Sequence, residues 1–450
     1  MKLSSYPQYK EAGLPWVGRI PEHWRVLRLK YAASVRFSSV DKHTVEGELP
    51  VRLCNYTDVY YNERIGGDLP FMQATATPEE VARFSLSPGD VLVTKDSEEW
   101  EDIAVPALVG EKLDGVLCGY HLALVRPNDS TVLSPYLLRS FQARGLNDQF
   151  RVAATGVTRF GLPKDALTGG AFLIPPPNEQ RGIATFLDRE TARIDTLIEK
   201  KQRQIELLLE KRASLVTKVV SRGLNPKAEL RESGCLGWGR IPAHWMIRPL
   251  KHLTPDDRQI MYGIVLPGPD YEGGIPIVKG GNCEPGQLRI EFMSRTSPEI
   301  EIGYVRSRLR LGDVVFAIRG SIGAAEIVPA EIEGANLTQD AARISPKLGV
   351  CARWLLHAVR SPSFFSMLDS RATGATIRGI NIFDLKRGPV AVPPPEEQVL
   401  IARYLDTETV RIERTMAIIR DSIGALHELR SSVIAAAVTG QLDVRQEIAR

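Results

Sequence analysis

Apolar residues recur at alternating spacings of three and four in two long stretches of the chain. The first stripe is Leu187, Thr191, Ile194, Ile198, Lys201, Ile205, Leu208, Arg212, Leu215 and Val219. The second lies 218 positions later: Leu405, Thr409, Ile412, Met416, Ile419, Ile423, Leu426, Arg430, Val433 and Ala437. This spacing, held over four to five heptads, predicts two long helices that pack on each other as a coiled coil. The polar stripe positions Thr191, Lys201 and Arg212 would fix the register at some cost in stability. Prolines 175–177 and 393–395 precede the two stripes; proline cannot continue a helix backwards, so the helices start there. Gly223 with Pro226, and later Gly440, mark their ends.

Elsewhere the pattern is one of short β-branched runs broken by Gly, Pro, Asn and Asp. Trp24 to Leu29, Asp90 to Thr94, Leu122 to Val125, Trp245 to Leu250, Gly274 to Val278 and Asp313 to Ile318 read as strands of mixed sheets. Ser134 to Gln142 and Ala352 to Arg360 read as helices packed on them. The expected fold class is therefore α/β (α+β) heads with long helices.

The chain repeats itself. Gly18-Arg-Ile-Pro-Glu-His-Trp24 returns 221 positions later as Gly239-Arg-Ile-Pro-Ala-His-Trp245. Pro175-Pro-Pro-Asn-Glu-Gln180 returns 218 positions later as Pro393-Pro-Pro-Glu-Glu-Gln398. Ala154-Thr-Gly-Val-Thr158 matches Ala372-Thr-Gly-Ala-Thr376, and Leu86-Ser-Pro-Gly-Asp-Val91 matches Leu309-Arg-Leu-Gly-Asp-Val314. A period near 220 residues is too long for a solenoid and marks a duplicated domain pair. The expected division is a first head (1–177), first spacer helix (178–221), linker (222–235), second head (236–395), second spacer helix (396–438) and a tail (439–450).

Composition adds little direction. Hydrophobic residues at 43% and charged residues at 25% are globular averages. The net charge of +3 neither requires nor excludes an anionic partner. No apolar run approaches a membrane span, and the opening residues lack a signal-peptide core, so a cytoplasmic protein without membrane partners is expected. Five scattered cysteines without CxxC spacing argue for reduced thiols and against a zinc site.

Catalytic signatures are missing. There is no phosphate-binding loop, no dinucleotide fingerprint, no HExxH, no GxSxG and no methyltransferase tetrad. Glu199-Lys-Lys201 resembles a nuclease Glu-x-Lys but falls inside a predicted helix, where a solvated face explains it. Arg319-Gly-Ser-Ile-Gly323 follows a strand and reads equally as an anion-binding nest or a plain turn. His23 and His244 read as structural.

The ordered motifs resemble the specificity subunits of type I restriction-modification systems. They are the W-x-G-x-IP-x-HW opening of each head, the Pro-Pro-Pro-x-Glu-Gln helix entry, the exit Val219-Val-Ser-Arg-Gly-Leu-Asn-Pro226, and Ala435-Ala-Ala-Val-Thr-Gly-Gln-Leu-Asp-Val444. The resemblance covers essentially the whole chain. It implies two target recognition domains, each reading one half of a bipartite site in double-stranded DNA, separated by two antiparallel helices. It also implies docking of two modification (methyltransferase) subunits and of restriction subunits. AdoMet, ATP and Mg would then sit on those partners, with no cofactor, metal or catalytic residue in this chain.

A helix of ~40 residues spans ~60 Å, enough to reach between major-groove sites one turn, ~34 Å, or more apart. Candidate DNA-contacting residues are Lys95, Thr158 and Arg159 in the first head, with Arg319, Ser321, Thr376 and Arg378 in the second. Arg and Thr suit base edges or phosphates, although the Thr-Gly loops can equally serve only to turn the chain. The expected helix–helix seam comprises Leu187, Ile194, Ile198, Ile205, Leu208, Leu215, Leu405, Ile412, Met416, Ile419, Ile423 and Leu426. A coiled-coil scaffold that reads no DNA is the rival reading.

Overall fold

The computed structural model describes residues 5–369 and 379–445. Both stripes are single helices, Pro177–Arg222 and Pro395–Val438, of 46 and 44 residues. Each begins at the third proline of its triplet, where the missing N–H has no intrahelical partner to lose. Each ends one or two residues before a glycine in the left-handed region, Gly223 at φ +70° and Gly440 at φ +71°. The chain divides into two compact units, residues 1–201 with 420–450 and residues 202–419. Each unit therefore holds one head, a segment of the first long helix and a segment of the second.

The first unit is built on a five-stranded sheet in the order Ala33–Phe37, Leu122–Pro127, Val91–Thr94, Pro106–Val109, Arg64–Ile65. Neighbours are antiparallel except for the last, parallel pair. Val91 and Val93 face one apolar core and Leu92 the other. Ala123 and Val125 join the first of these cores, Leu122 and Leu124 the second. Burial on both faces explains why these strands read as unbroken apolar runs instead of alternating ones. One core lies against the helices, and the other against a three-stranded sheet with Leu49–Cys54 at its centre.

The second unit repeats the plan. Its sheet runs Met261–Tyr262, Ala341–Ile344, Val314–Ala317, Ala325–Ile327, all antiparallel. Val314 and Phe316 point into the helix-side core while Val315 and Ala317 point into the other. A three-stranded sheet centred on Ile275–Val278 completes it. The predicted helices Ser134–Gln142 and Ala352–Arg360 are present at those bounds.

Three of the four repeated motifs turn out to be joints. In Leu-x-x-Gly-Asp-Val, Gly89 and Gly312 take φ of +91° and +84°. The following aspartates are buried and paired: Asp90 with Arg126 at 2.6 Å, Asp313 with Arg258 at 2.7 Å. In Pro-Pro-Pro-x-Glu-Gln, the Gln180 carboxamide accepts from Leu133 N at 2.8 Å and donates to Thr131 O and Pro175 O. Gln398 accepts from Cys351 N at 2.9 Å and donates to Pro393 O. Each glutamine thus ties the start of a long helix to its own head.

The glutamate of the same motif meets the His-Trp pair of the head opening. Glu179 accepts from the Trp24 indole at 2.7 Å and lies 3.0 Å from His23 Nε2. Glu397 accepts from the Trp245 indole at 3.0 Å and lies 2.6 Å from His244 Nε2. The helix exits close on these same tryptophans. A β-carbon on Gly440 would stand 2.2 Å from Pro21 Cδ and 3.3 Å from the Trp24 ring, and one on Gly223 would stand 3.1 Å from the Trp245 ring.

Within each unit the two helix segments run antiparallel. In the first, Ile183, Phe186 and Leu187 share a core with Ile434, Ala437 and Val438, and Asp195 pairs with Arg430 at 2.9 Å. In the second, Val219 and Val220 share a core with Ile401, Ala402 and Leu405, and Arg212 pairs with Glu413 at 3.2 Å. Both ion pairs join positions whose numbers total 625, so one register serves both units. Arg430 also meets Glu63 of the first head, which receives the buried Arg139 as well.

Two expectations are revised. The stretch 222–235 is not a bare linker, because Leu230–Glu232 pairs as a strand with Arg240–Pro242 of the second head. In the tail, Leu442 and Val444 belong to the first unit's core.

The glycine joints are testable. An L-residue at left-handed φ costs ~1–2 kcal/mol. Gly234→Ala (φ +71°, with nothing near its β-carbon) should lower the urea midpoint modestly. Gly440→Ala, with the same φ but Pro21 and Trp24 in the way, should lower it clearly further.

Candidate nucleic-acid interface

In the first head the polypeptide leaves the central strand Val91–Thr94 directly into Lys95. Lys95 is not the free reading residue its type suggested. Its ammonium is buried, 3.0 Å from Asp96 and 4.4 Å from the centre of the Tyr120 ring. Asp96 also lies 3.0 Å from His121 Nδ1, and the Arg159 guanidinium lies 3.1 Å from the His121 ring. Burial alone would raise the Asp96 pKa, but the hydrogen bonds from His121 and Lys95 outweigh it and hold the carboxyl below its ordinary range. Thr158 and Arg159 lie on an exposed loop, and the strand pair Phe160–Gly161 with Asp96–Ser97 ties this loop to the first.

Beside this network the short helix Tyr56–Tyr61 presents three tyrosines. Asn55 and Asp58 close its capping box. Tyr56 and Tyr60, four positions apart on one helical face, stack with ring centres 5.5 Å apart. The Tyr60 hydroxyl donates to Asp102 at 3.1 Å, the Tyr56 hydroxyl shares a bond with Ser97, and Tyr61 is 77% exposed. Together with Glu98, Glu99, His121 and Arg159 they surround a recess of about 440 Å³. Its acceptor-rich lining suits the exocyclic amino groups of cytosine or adenine better than phosphate oxygens. The sequence reading missed the tyrosines and His121; the i, i+4 tyrosine spacing after an Asn cap was the available signal.

The same place in the second head is chemically different. The chain leaves Val314–Ala317 into the exposed Arg319, whose N–H donates to Asp340 O at 3.1 Å. Gly320 and Gly323, at φ +70° and +87°, turn it sharply. Half-buried Ser321 donates to Glu284, and Lys279 donates to Ser294 at 2.8 Å. Among the described residues no carboxylate pairs with Arg319. Thr376 and Arg378 lie outside the described residues. Of the seven sequence candidates, Lys95 in the first head and Arg319 and Ser321 in the second thus lie just after the central strands, where Lys95-Asp96 and Arg319-Gly-Ser321 share no residue, and Thr158 and Arg159 lie on the Thr-Gly loop of the first head.

Of the seam candidates, Leu187, Ile194, Ile198, Leu405, Ile412 and Met416 are buried. Ile205, Leu208, Leu215, Ile419, Ile423 and Leu426 are half-buried, and Leu215 packs against the core of the second head. Among the described residues no group of three or more His, Cys, Asp or Glu is placed to hold a metal ion. No described helix is long and apolar enough to cross a membrane.

The architecture defines a class: a duplicated chain of two α/β heads, each carried on paired segments of long helices. No family model matches the chain. It is 27% identical over 278 residues to the EcoBI type I restriction enzyme specificity subunit of Escherichia coli, a match covering 60% of this chain and 58% of that protein. It is 22% identical over 437 residues to the MjaX type I restriction enzyme specificity subunit of Methanocaldococcus jannaschii, covering 95% and 96%. A chain from a structure of the type I R-M system in complex assembly superposes with a TM-score of 0.72 at 17% identity, covering 94% of this chain and 99% of its own. The HsdS subunit of Thermoanaerobacter tengcongensis superposes at 0.55 and 18% identity, covering 94% and 98%. The chain is thus similar in sequence to specificity subunits of type I restriction-modification systems and shares the fold of the HsdS subunit.

Asp96 yields a pH test. A carboxyl held low contributes stability that is complete above its unfolded value near ~4 and disappears as pH falls through the folded value. Asp96→Asn should lower the urea midpoint at about pH 7, with the difference from the parent narrowing near about pH 3.

Proposed function

We propose that the chain is the sequence-reading subunit of a type I restriction-modification complex, with each head reading one half of a bipartite site in double-stranded DNA. One observation carries this reading: the Gly-x-Ile-Pro-x-His-Trp and Pro-Pro-Pro-x-Glu-Gln repeats form the joints between heads and helices, whereas the segments that leave the two central strands, Lys95-Asp96 and Arg319-Gly-Ser321, carry unrelated chemistry. A framework built twice with different surfaces suits two different half-sites. The scaffold reading accounts for the helices but gives no reason for that divergence.

In this reading the chain has no catalytic role. Modification and restriction subunits dock on it and carry AdoMet, ATP and Mg. The near-neutral charge then means that much of the phosphate neutralisation falls to those partners. The acceptor-rich recess of the first head and Arg319 of the second would meet base edges in the major groove, the groove that distinguishes every base pair.

Purified alone, the chain should transfer no methyl group and cut no DNA, while co-expression with its cognate modification subunit should yield a bipartite methylated motif. Methyl transfer by the chain alone overturns the assignment. Exchange of residues 25–170 for those of a related subunit should change one half of the motif and leave the other intact.

The helices can also be tested as a spacer. An insertion next to Arg222 would pull Gly223 off Trp245. Four residues belong instead in both helices, between Ile198 and Leu208 and between Met416 and Leu426, which preserves the Arg212–Glu413 and Arg430–Asp195 pairs. Such insertions add ~6 Å, nearly two base-pair steps. The methylated motif should keep its bases and lengthen its gap; an unchanged gap would show that the helices do not measure it.

A further inference from the structure

The two heads carry opposite charges at one equivalent backbone position. The Leu-x-x-Gly-Asp-Val repeat, offset by 223 positions, sets Arg319 against Asp96; the Thr-Gly repeat, offset by 218, sets Gly379 against Gly161. The backbone pairs these residues in the same way. Asp96 faces Gly161 across an antiparallel strand pair, and Arg319 faces Gly379 in an antiparallel bridge. Both glycines leave room for the side chain opposite. A β-carbon on Gly161 would stand 3.4 Å from Asp96 Oδ1, and one on Gly379 would stand 3.4 Å from Arg319 Cγ and 3.7 Å from its Nε.

The backbone at Arg319 is held from several sides. The N–H groups of Ile318 and Arg319 both donate to Asp340 O, at 2.8 and 3.1 Å, and Ile380 N donates to Ile318 O at 2.9 Å. A β-carbon on Gly280 would collide with the Arg319 carbonyl. The side chain is free by contrast. Arg319 is exposed, and among the described residues its guanidinium meets neither a carboxylate nor an aromatic ring. Its first-head equivalent is the reverse, since the Asp96 carboxylate is already engaged by Lys95 and His121.

We infer that Arg319 selects a guanine in the half-site read by the second head, donating to its O6 and N7 in the major groove. The inference rests on the DNA-reading proposal and adds to it the residue and the base. A fixed backbone beneath an unpartnered guanidinium is pre-organised for a planar, two-point acceptor. Guanine alone presents two adjacent acceptors on its major-groove edge, and arginine matches them with two bonds. A phosphate is the other acceptor of that geometry. Phosphates recur along every duplex and carry no sequence information, so a position that served them would keep a cation in both copies of a duplicated head. This position has a carboxylate in the first head. Two residues on, Ser321 donates to Glu284, whose charge also opposes a phosphate at this edge.

The test uses the full chain co-expressed with its cognate modification subunit, and reads the methylated motif. Exchange of residues 25–170 first identifies the half that belongs to the second head, as the half that stays. Arg319→Gln should then alter that half at one G·C pair only, because a glutamine carboxamide matches adenine N6 and N7. On synthetic duplexes the methylation ratio of guanine to adenine at that pair should fall roughly tenfold or more, with the first half still read as before. Arg319→Ala should accept any base pair there. Both variants should keep the parent's urea midpoint, since the side chain has no partner within the head to lose. A second half-site without guanine, or an unchanged base requirement in both variants, would overturn the inference. So would a uniform loss of methylation with every base still required, the mark of a phosphate contact, or a clear fall in the midpoint of both variants. Each of these leaves the DNA-reading proposal standing. That proposal fails instead if the parent complex yields no bipartite motif, or if the motif ignores the exchange of the first head.

Discussion

A carboxylate shared by an indole and an imidazole, buried in the first unit and partly exposed in the second, is the interaction on which the rest of this molecule depends. Glu179 with Trp24 and His23, and Glu397 with Trp245 and His244, each fix the first turn of a long helix against the opening strand of its head. At the buried Glu179 a charge is tolerable only because donors surround it; removing them would leave a desolvated carboxylate, a change that costs on the order of several kcal/mol. The tryptophan does a second task, since the exit of the other segment in the same unit turns on a glycine against its ring. One side chain thereby orders three pieces of backbone that are far apart in sequence.

That constraint explains what was legible beforehand. The long helices, their proline starts and glycine stops, and the strands Val91–Thr94 and Val314–Ala317 were readable because each has a local signature: a period, a cap or an unbroken apolar run. The repeats were visible too, though not their purpose. Nothing local says that Asp90 will find Arg126 or that Gln180 will bridge to Leu133; these partners meet only once the sheet has formed.

The candidate interface was less legible, and Lys95 shows why. A lysine just after a strand looks available, yet Tyr120 and Asp96 enclose it, and neither contact follows from spacing. Arg319 is exposed where the chain leaves its central strand, as loops there tend to be, and Arg159 is exposed on the loop before Phe160–Gly161. Ser321 was located, but its hydroxyl engages Glu284. The tyrosine recess was overlooked because its six-residue helix offers only the one Tyr56–Tyr60 pair after Asn55, with no repeat to set it apart from chance.

The central strand of each head is packed on both faces, so a substitution there disturbs two cores at once, and its composition is held nearly fixed. In the loops that emerge from its end, Ile103, Ala104 and Ile318 belong to a core, while residues 95–102 and 319–321 belong to neither. Their length and sequence can change at an entropic cost that rises only with the logarithm of loop length. Mutational freedom is thus concentrated at one edge of each head, and a lineage can explore new surface chemistry there while the folding problem stays solved.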